Sequence, residues 1–245
     1  MRITRIYHPE PLTLHSSIAL GDGAVNHLAR ALRFREGDTI HLFDGNGGEY
    51  RAVIDTVTKK QVLVTPVEFI AQECESPLNI HLGQGIARGE KMDLILQKAV
   101  ELGIQTITPL FTEHCNVQLS SERIEKRMHH WQGIIASACE QCGRNRLPQL
   151  NAPQSFVTWA QQQNADLKLI LHPDLSASNS DPENKINSIT MVVGPEGGFA
   201  EPEIKLAIKH GFHTFTLGPR ILRTETAGLV ALSVLQYRFG DLSSK

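Results

Sequence analysis

The segment Val192-Val-Gly-Pro-Glu-Gly-Gly-Phe199 takes the end of an apolar strand, Ile189–Val193, directly into a loop with three glycines and a proline. Glycine lets a backbone approach a ligand without interference from a Cβ atom, and proline stiffens the loop. A structural turn alone seldom needs all four residues so close together. Because α/β sheets bind ligands at the carboxyl ends of their strands, this junction indicates an α/β fold and a first candidate binding loop.

A second loop of the same kind is Leu217-Gly-Pro-Arg-Ile-Leu-Arg-Thr-Glu-Thr-Ala227, which again joins a strand to a helix through Gly-Pro. One of its threonines, Thr224 or Thr226, is expected to cap the last helix, whose N-terminus is electropositive. Capping accounts for one threonine only. Core packing gives no reason for Arg220, Arg223 or Glu225 to be in this loop. The loop is therefore a second candidate site.

A third glycine segment, Gly83-Gln-Gly-Ile-Ala-Arg-Gly89, lies between a strand and a helix. It resembles a dinucleotide-binding loop, but its glycine spacing is one residue longer than the usual fingerprint. Glu113 could hold a ribose, although it lies farther along the chain than usual. The alternative is a tight turn that brings Arg88 to the surface.

The chain divides into two parts of different pattern, with the boundary at Ala71–Pro77. Residues 1–72 are mostly short strands with glycine-rich turns, interrupted by one helix that Asp22 can cap, and this pattern predicts a small β-barrel. Residues 73–245 alternate strand and helix, which predicts a largely parallel sheet covered by helices. Residues 174–187, rich in Ser, Asn and Asp, are expected to form a flexible loop.

Helix and strand bounds in the second part follow from apolar spacing and from Gly and Pro stops. The predicted helices are 90–102, 121–142, 156–163, 202–210 and 225–239, and the predicted strands are 78–82, 104–110, 167–171, 189–193 and 213–217.

Composition excludes several classes of function. The net charge is −2, which gives no global attraction to nucleic acid or anionic lipid, so an RNA site needs a locally arranged patch. No apolar run approaches the roughly 18 residues of a spanning helix, and the cytoplasm is the expected location. The four cysteines include Cys139-Glu-Gln-Cys142 but no second such pair, so we expect neither a disulfide framework nor a metal site.

The two glycine loops together resemble the RsmE family, the small-subunit ribosomal RNA uridine-N3 methyltransferases of the SPOUT superfamily. The similarity spans nearly the whole chain. Its other matching segments are Arg5-Ile-Tyr-His8, Arg88-Gly-Glu-Lys-Met92, Gln97-Lys-Ala-Val-Glu-Leu-Gly103 and Glu140-Gln-Cys-Gly-Arg-Asn145.

The resemblance implies a PUA-like barrel over residues 1–72, with RNA binding as its expected role, and a SPOUT methyltransferase domain with a C-terminal trefoil knot over 73–245. It also implies a homodimer and an S-adenosylmethionine pocket built from three loops. Carried over residue by residue, the cofactor-binding positions are Leu171, His172, Gly194, Pro195, Glu196, Gly197, Gly198, Leu217, Gly218, Ile221, Leu222, Thr226 and Ala227.

The expected reaction is methylation of N3 of a uridine in 16S ribosomal RNA, free or in the assembled small subunit. Glu225 is the first candidate base and Arg223 the first candidate for stabilising a uridine anion. The helix dipole alone also favours Glu225 at its position. Candidate RNA contacts are Arg5, Arg30, Arg33, Arg88 and Arg144, and all of these except Arg5 are also explicable as ordinary exposed surface charges.

Two other functions stay open at this point. One is a nucleotide- or NAD-dependent enzyme that uses Gly83–Gly89. The other is a non-catalytic RNA-binding factor of ribosome assembly that keeps the pocket without its chemistry.

Overall fold

A computed structural model describes residues 3–115, 121–173 and 185–243. The chain forms two compact units, one made of residues 1–75 and 136–147 and the other of residues 76–135 and 148–245. The expected loop 174–187 lies mostly outside the described residues. The boundary between residues 72 and 73 stays a prediction.

The first unit contains a five-stranded sheet. Its hydrogen-bonded order is β1-β3-β4-β5-β2, with β1 parallel to β3 and the other pairs antiparallel. Closure of this sheet into a barrel stays a prediction. The strands are β1 (Arg5–Tyr7), β2 (Ile18–Ala19), β3 (Thr39–Phe43), β4 (Glu49–Val57) and β5 (Val62–Ile70).

The helix of the first unit differs from its prediction. It begins as α1 (Asp22–Val25) and continues as a π-helix over Asn26–Leu32. Gly21 holds the N-cap position, so Asp22 is the first helical residue and not the cap. Arg33 ends the helix in the left-handed region at φ 57°. The π-helix buries Leu28, whereas Leu32 at its end is 46% exposed.

The second unit contains a seven-stranded parallel sheet in the order β12-β10-β11-β6-β7-β8, with β9 also paired to β7. This confirms the predicted parallel α/β arrangement. The strands are β6 (Asn79–Gly85), β7 (Thr106–Phe111), β8 (Gln149–Leu150), β9 (Gln154–Ser155), β10 (Leu167–Leu171), β11 (Ser188–Val193) and β12 (His213–Phe215).

The helices of the second unit agree with the apolar spacing to within one or two residues. Buried residues in the first of them recur at helical spacing, from Met92 through Ile95 and Leu96 to Val100, which places one apolar face inside. The helices are α2 (Glu90–Glu101), α3 (Ser121–Cys142), α4 (Phe156–Gln161), α5 (Glu201–Lys209) and α6 (Thr224–Phe239). The last turns of α3 belong to the first unit.

Aromatic side chains fill the core between the sheet and α4. Trp159 packs near Phe212, with ring centroids 5.9 Å apart, and both are buried. A Cβ atom on Gly83 would come within 2.5 Å of the Trp159 ring. Gly83 therefore makes room for an indole inside the core. In the described part of the chain, no helix is long and apolar enough to cross a membrane.

Candidate functional site

The order of the sheet brings three loops together. Strands β12, β10 and β11 are neighbours and run parallel, so their carboxyl ends meet at one edge. The segments that leave these ends begin at Thr216, His172 and Gly194. The main chain of His172 donates to Phe215 O at 3.4 Å, and Thr216 Oγ1 donates to His172 O at 2.9 Å. Two of the three loops are thus tied to each other.

A cavity of about 320 Å³ lies between these loops. Its volume is that of a small-molecule site, and more of its surface is apolar than polar. Ile221 is 87% exposed and so lies at the mouth. The lining residues are Lys91, Leu171, His172, Pro173, Val193, Gly194, Pro195, Glu196, Gly198, Phe199, Phe215, Thr216, Leu217, Gly218, Arg220, Ile221, Leu222, Arg223, Thr224 and Ala227.

The loop of residues 194–198 is held by a hydrogen bond within itself and by contacts with the segment that leads into α2. Gly198 N donates to Pro195 O at 2.9 Å, which closes a turn. Glu196 Oε1 accepts from Lys91 Nζ at 3.0 Å and from the main-chain N of Arg88 at 3.1 Å. These contacts join the loop to the start of α2, so the loop is pre-organised for a ligand.

The Glu196 carboxylate is stabilised in its charged form. Partial burial raises its pKa, but hydrogen bonds from main-chain N–H groups and from Lys91 outweigh that effect and hold the pKa below its usual value. Because Glu196 and Lys91 both line the cavity, a bound ligand meets this ion pair at the cavity wall.

The three glycines of this loop are required for different structural reasons. A Cβ on Gly194 would approach the backbone of Gly198 at 3.1 Å, and one on Gly197 would meet His114 at 2.8 Å. Only Gly198, at φ +69°, would point its Cβ into open space. The expectation of close ligand approach thus applies to Gly198, while Gly194 and Gly197 serve the packing of the loop itself.

The segment 217–222 offers main-chain groups to a ligand. Within the described ranges, no hydrogen bond joins its main chain to another group of the protein. Most of these residues line the cavity, and a Cβ placed on Gly218, at φ +71°, would have no atom within 4 Å. Unpaired N–H and C=O groups beside a cavity are the groups that recognise a heterocyclic edge.

The start of α6 differs from its prediction. Arg223 holds the N-cap position and no side chain caps the helix. The Thr224 hydroxyl instead donates to Gly194 O at 2.5 Å and accepts from Gln84 Nε2 at 3.1 Å. Thr224 therefore links the two glycine loops across the cleft, because Thr224 and Gly194 both line the cavity.

The two residues predicted to be catalytic occupy different positions. Arg223 lines the cavity, whereas Glu225 lies further into α6 and does not. One carboxylate oxygen of Glu225, Oε2, is buried and has no hydrogen-bond partner in the described parts of the chain. A buried acceptor without a donor is costly, so this oxygen has the capacity to accept a hydrogen bond from a bound group.

Of the thirteen predicted cofactor-binding positions, Gly197 and Thr226 are not among the lining residues. Gly197 O instead lies 3.0 Å from His114 Nδ1. Several lining residues were not among the predicted cofactor-binding positions. Lys91, Val193, Phe199, Arg220 and Thr224 do lie within the quoted family-matching segments, whereas Pro173, Phe215 and Thr216 carried no such signal.

The structure contradicts the nucleotide-loop alternative. Gly83 and Gly85 belong to β6, where a Cβ on Gly85 would come within 2.5 Å of Pro195. These glycines permit packing inside the sheet and form no phosphate loop. The main-chain N of Glu113 donates to Glu203 of α5, and Glu113 does not line the cavity.

Two of the predicted RNA contacts, Arg5 and Arg144, instead form ion pairs inside the first unit. Arg5 Nε donates to Glu49 Oε2 at 2.8 Å, with both side chains 10% exposed. Arg144 is 4% exposed and its guanidinium pairs with Glu75. Both arginines therefore neutralise carboxylates inside the first unit, of which Glu49 is buried and Glu75 partly buried. The other three predicted contacts are exposed, namely Arg30, Arg33 and Arg88.

Metal-ligating side chains do not cluster in the described structure. Over residues 3–115, 121–173 and 185–243, no group of three or more His, Cys, Asp or Glu side chains could hold a metal ion.

Comparison with known families identifies the class. A model of the RNA methyltransferase domain matches residues 74–236, and one of the RNA methyltransferase PUA domain matches residues 20–67. Ribosomal RNA small subunit methyltransferase E of Buchnera aphidicola from Schizaphis graminum is 37% identical over 99% of both chains. Its namesake from Bacillus subtilis is 31% identical over 87% of both. The chain belongs to the ribosomal RNA small subunit methyltransferase E family.

Solved structures agree with this assignment. A methyltransferase structure from Legionella pneumophila with the cofactor SAM bound superposes with a TM-score of 0.95 at 44% identity, covering 99% of this chain and 100% of the other. The structure of the Neisseria gonorrhoeae ribosomal RNA small subunit methyltransferase E bound to S-adenosyl methionine superposes with a TM-score of 0.90 at 37% identity. The match covers 99% of this chain and 100% of the other.

Proposed function

We propose that this protein transfers a methyl group from S-adenosylmethionine to N3 of a uridine in small-subunit (16S) ribosomal RNA. The observation that carries the proposal is the cavity at the carboxyl ends of β10, β11 and β12. Family membership and the SAM-bound relatives give the reaction, and the cavity gives this chain a place to perform it.

The residues around the cavity fit the cofactor. Leu171, Val193 and Leu222 supply apolar surface for an adenine ring, and the segment 217–222 supplies unpaired main-chain groups for its polar edge. Gly198 leaves open space at its Cα. Glu196 and Lys91 meet the ligand as an ion pair at the cavity wall.

When bound, S-adenosylmethionine supplies an electrophilic methyl group whose departure leaves a neutral thioether. Uridine N3 is a poor nucleophile while it carries its proton. We assign removal of that proton to the Glu225 carboxylate, which follows the lining residues Arg223 and Thr224 in the chain and has an oxygen without a partner in the described structure. Arg223 at the cavity wall stabilises the uridine anion through O2 or O4, and the new bond forms between N3 and the methyl carbon.

The RNA must present an unpaired or extruded base, because N3 of uridine is engaged in pairing within a duplex. The exposed side chains Arg30, Arg33 and Arg88 are the proposed phosphate contacts of this chain. The first two belong to the unit matched by the PUA model, and Arg88 precedes α2 in the methyltransferase domain.

The finer features of assembly are also proposals. We propose a PUA-like domain over 1–72, a methyltransferase domain over 73–245 with a C-terminal trefoil knot, and a cytoplasmic homodimer. Val230 and Tyr237 support the dimer, because they lie seven residues apart on α6 and are 38% and 64% exposed. The clustering of three loops from residues 171–227 at one sheet edge supports the knot.

The proposed function is tested with small subunits from cells that lack the gene. Purified protein, labelled S-adenosylmethionine and these subunits should give label in 16S RNA, and mass spectrometry of the digested RNA should find 3-methyluridine. Folded protein that labels no RNA would contradict the proposal. A label on another atom or nucleotide would contradict its N3 assignment.

A further inference from the structure

Gln84 is a fully buried polar residue that the proposed mechanism does not use. It lies in β6 with an exposed fraction of 0% and does not line the cavity. A buried amide is expensive unless its hydrogen bonds are made, so a fold that only needs a packed strand would place an apolar residue there.

The hydrogen bonds of Gln84 fix the orientation of its amide. Nε2 donates to Gly85 O at 2.9 Å and to Thr224 Oγ1 at 3.1 Å. Because Gly85 O only accepts, the NH₂ group must face it. The Thr224 hydroxyl then accepts from Gln84 and donates to Gly194 O at 2.5 Å. A directed chain of bonds thus runs from β6 through the start of α6 to the glycine loop.

The hydrogen bonds of Gln84 satisfy only the NH₂ half of its amide group. Within the described residues, Gln84 Oε1 is buried with no hydrogen-bond partner. Leaving a buried acceptor unpaired costs stability, so the net gain to the fold from this side chain is small. What the side chain does provide is a fixed position for Thr224, because the bond it donates and the bond to Gly194 together constrain that hydroxyl.

We infer that Gln84 is a positioning residue for S-adenosylmethionine, which through Thr224 fixes the separation between the Gly194 loop and the first turn of α6. This inference rests on the proposed function. Thr224 and Gly194 lie on the two walls of the cleft, and Gln84 acts on both without lining the cavity. Removing the amide leaves the Thr224 hydroxyl free to turn away from Gly194 O, so the separation of the two walls is less fixed and affinity falls through loss of pre-organisation.

The test compares S-adenosylmethionine Kd, measured by calorimetry, with Tm in the full-length protein. Gln84→Met keeps the length of the side chain and removes its donors. We expect a Kd about tenfold weaker, the equivalent of one to two hydrogen bonds, with Tm within a few degrees of the wild type. If Gln84→Met does not fold, Gln84→Leu is used for the same comparison.

A double-variant cycle tests that Gln84 acts through Thr224. Thr224→Val removes the hydroxyl, and adding Gln84→Met to it should weaken binding no further. Thr224→Ser keeps the hydroxyl and should restore affinity. Thr108→Val is the matched control, because Thr108 is equally buried and hydrogen-bonded, to His81 and Asn151, away from the cavity. It should lower Tm and leave Kd unchanged.

Each outcome decides the inference. Unchanged Kd in a folded Gln84 variant, or additive losses in the double variant, would overturn it while leaving the proposed function intact. Wild-type protein that binds no S-adenosylmethionine would instead contradict the proposed function itself.

Discussion

The guanidinium of Arg144 lies against the carboxylate of Glu75, with Nη2 2.5 Å from Oε2 and Nε 3.1 and 3.0 Å from the two oxygens. The side chains are 5% and 18% exposed. Such a geometry neutralises a carboxylate that would otherwise be partly buried without a partner. It explains why an arginine within a family-matching segment is a structural residue of the first unit.

Arg144→Ala should therefore destabilise the protein by about 2–3 kcal/mol, below the range for a fully buried pair, because it leaves the partly buried Glu75 carboxylate without its partner. Urea denaturation measures this loss. Arg88→Ala is the matched control, since Arg88 is exposed and its replacement should change stability by less than about 0.5 kcal/mol. Weaker RNA binding by Arg144→Ala at full stability would contradict this assignment.

Gly198→Val should abolish S-adenosylmethionine binding, because a branched side chain at φ +69° strains the loop and enters the open space beside the cavity. Gly37→Val is the matched control, because Gly37 has φ +88° and equally open space at its Cα, in a turn of the first unit. Calorimetry should find binding lost in the first variant and retained in the second. Equal binding by both would remove Gly198 from the cofactor site.

Glu225→Gln should leave cofactor affinity unchanged and slow methyl transfer by about 10²- to 10⁴-fold, the usual range for loss of a general base. Glutamine keeps the shape of the side chain but cannot take the N3 proton. Single-turnover labelling of RNA measures the rate. A fully active variant would show that Glu225 serves only the helix dipole.

Stability should fall with acid because of His81. Burial lowers its pKa to about 4, against a smaller opposing effect of a hydrogen bond with Gln163. His81 Nε2 lies 2.7 Å from Thr108 Oγ1 and 3.4 Å from the Trp159 Nε1 donor, which suits a neutral ring. Between pH 6.5 and 4 the unfolded chain binds a proton that the folded chain does not.

The free energy of unfolding should thus drop by up to about 3 kcal/mol as pH falls through that window and stay unaffected by His81 above it. His81→Gln should flatten this part of the pH profile, which urea denaturation at a series of pH values measures. A variant whose profile keeps the wild-type slope would show that other groups cause the acid sensitivity.

Local pattern was enough to predict most elements. The helix 121–142 and the strand 167–171 have the predicted bounds, because apolar spacing and a terminal Gly or turn mark their ends. The strand β6 was predicted too short, since Gly83 and Gly85 resemble loop residues and only their contacts with Trp159 and Pro195 show why they lie in a strand.

The sequence was enough to predict which loops form the site. It was not enough to predict how those loops are brought together or which hydrogen bonds join them. Strand-end glycines marked the loops at 194–198 and 217–227. The sheet order that makes them neighbours, and the bond from Thr224 to Gly194, depend on residues far apart in sequence. Capping α6 is the local role of a threonine at position 224, and a tertiary contact took precedence over it. Arg5 and Arg144 were misplaced for the same reason.

A crystal structure of this protein grown with S-adenosylmethionine would show directly whether the cavity is the cofactor site. We predict density for the cofactor in the cavity of about 320 Å³, between the 194–198 loop and residues 217–227. Cofactor bound elsewhere on the protein, or an empty cavity at saturating concentration, would contradict the proposed site and the mechanism built on it.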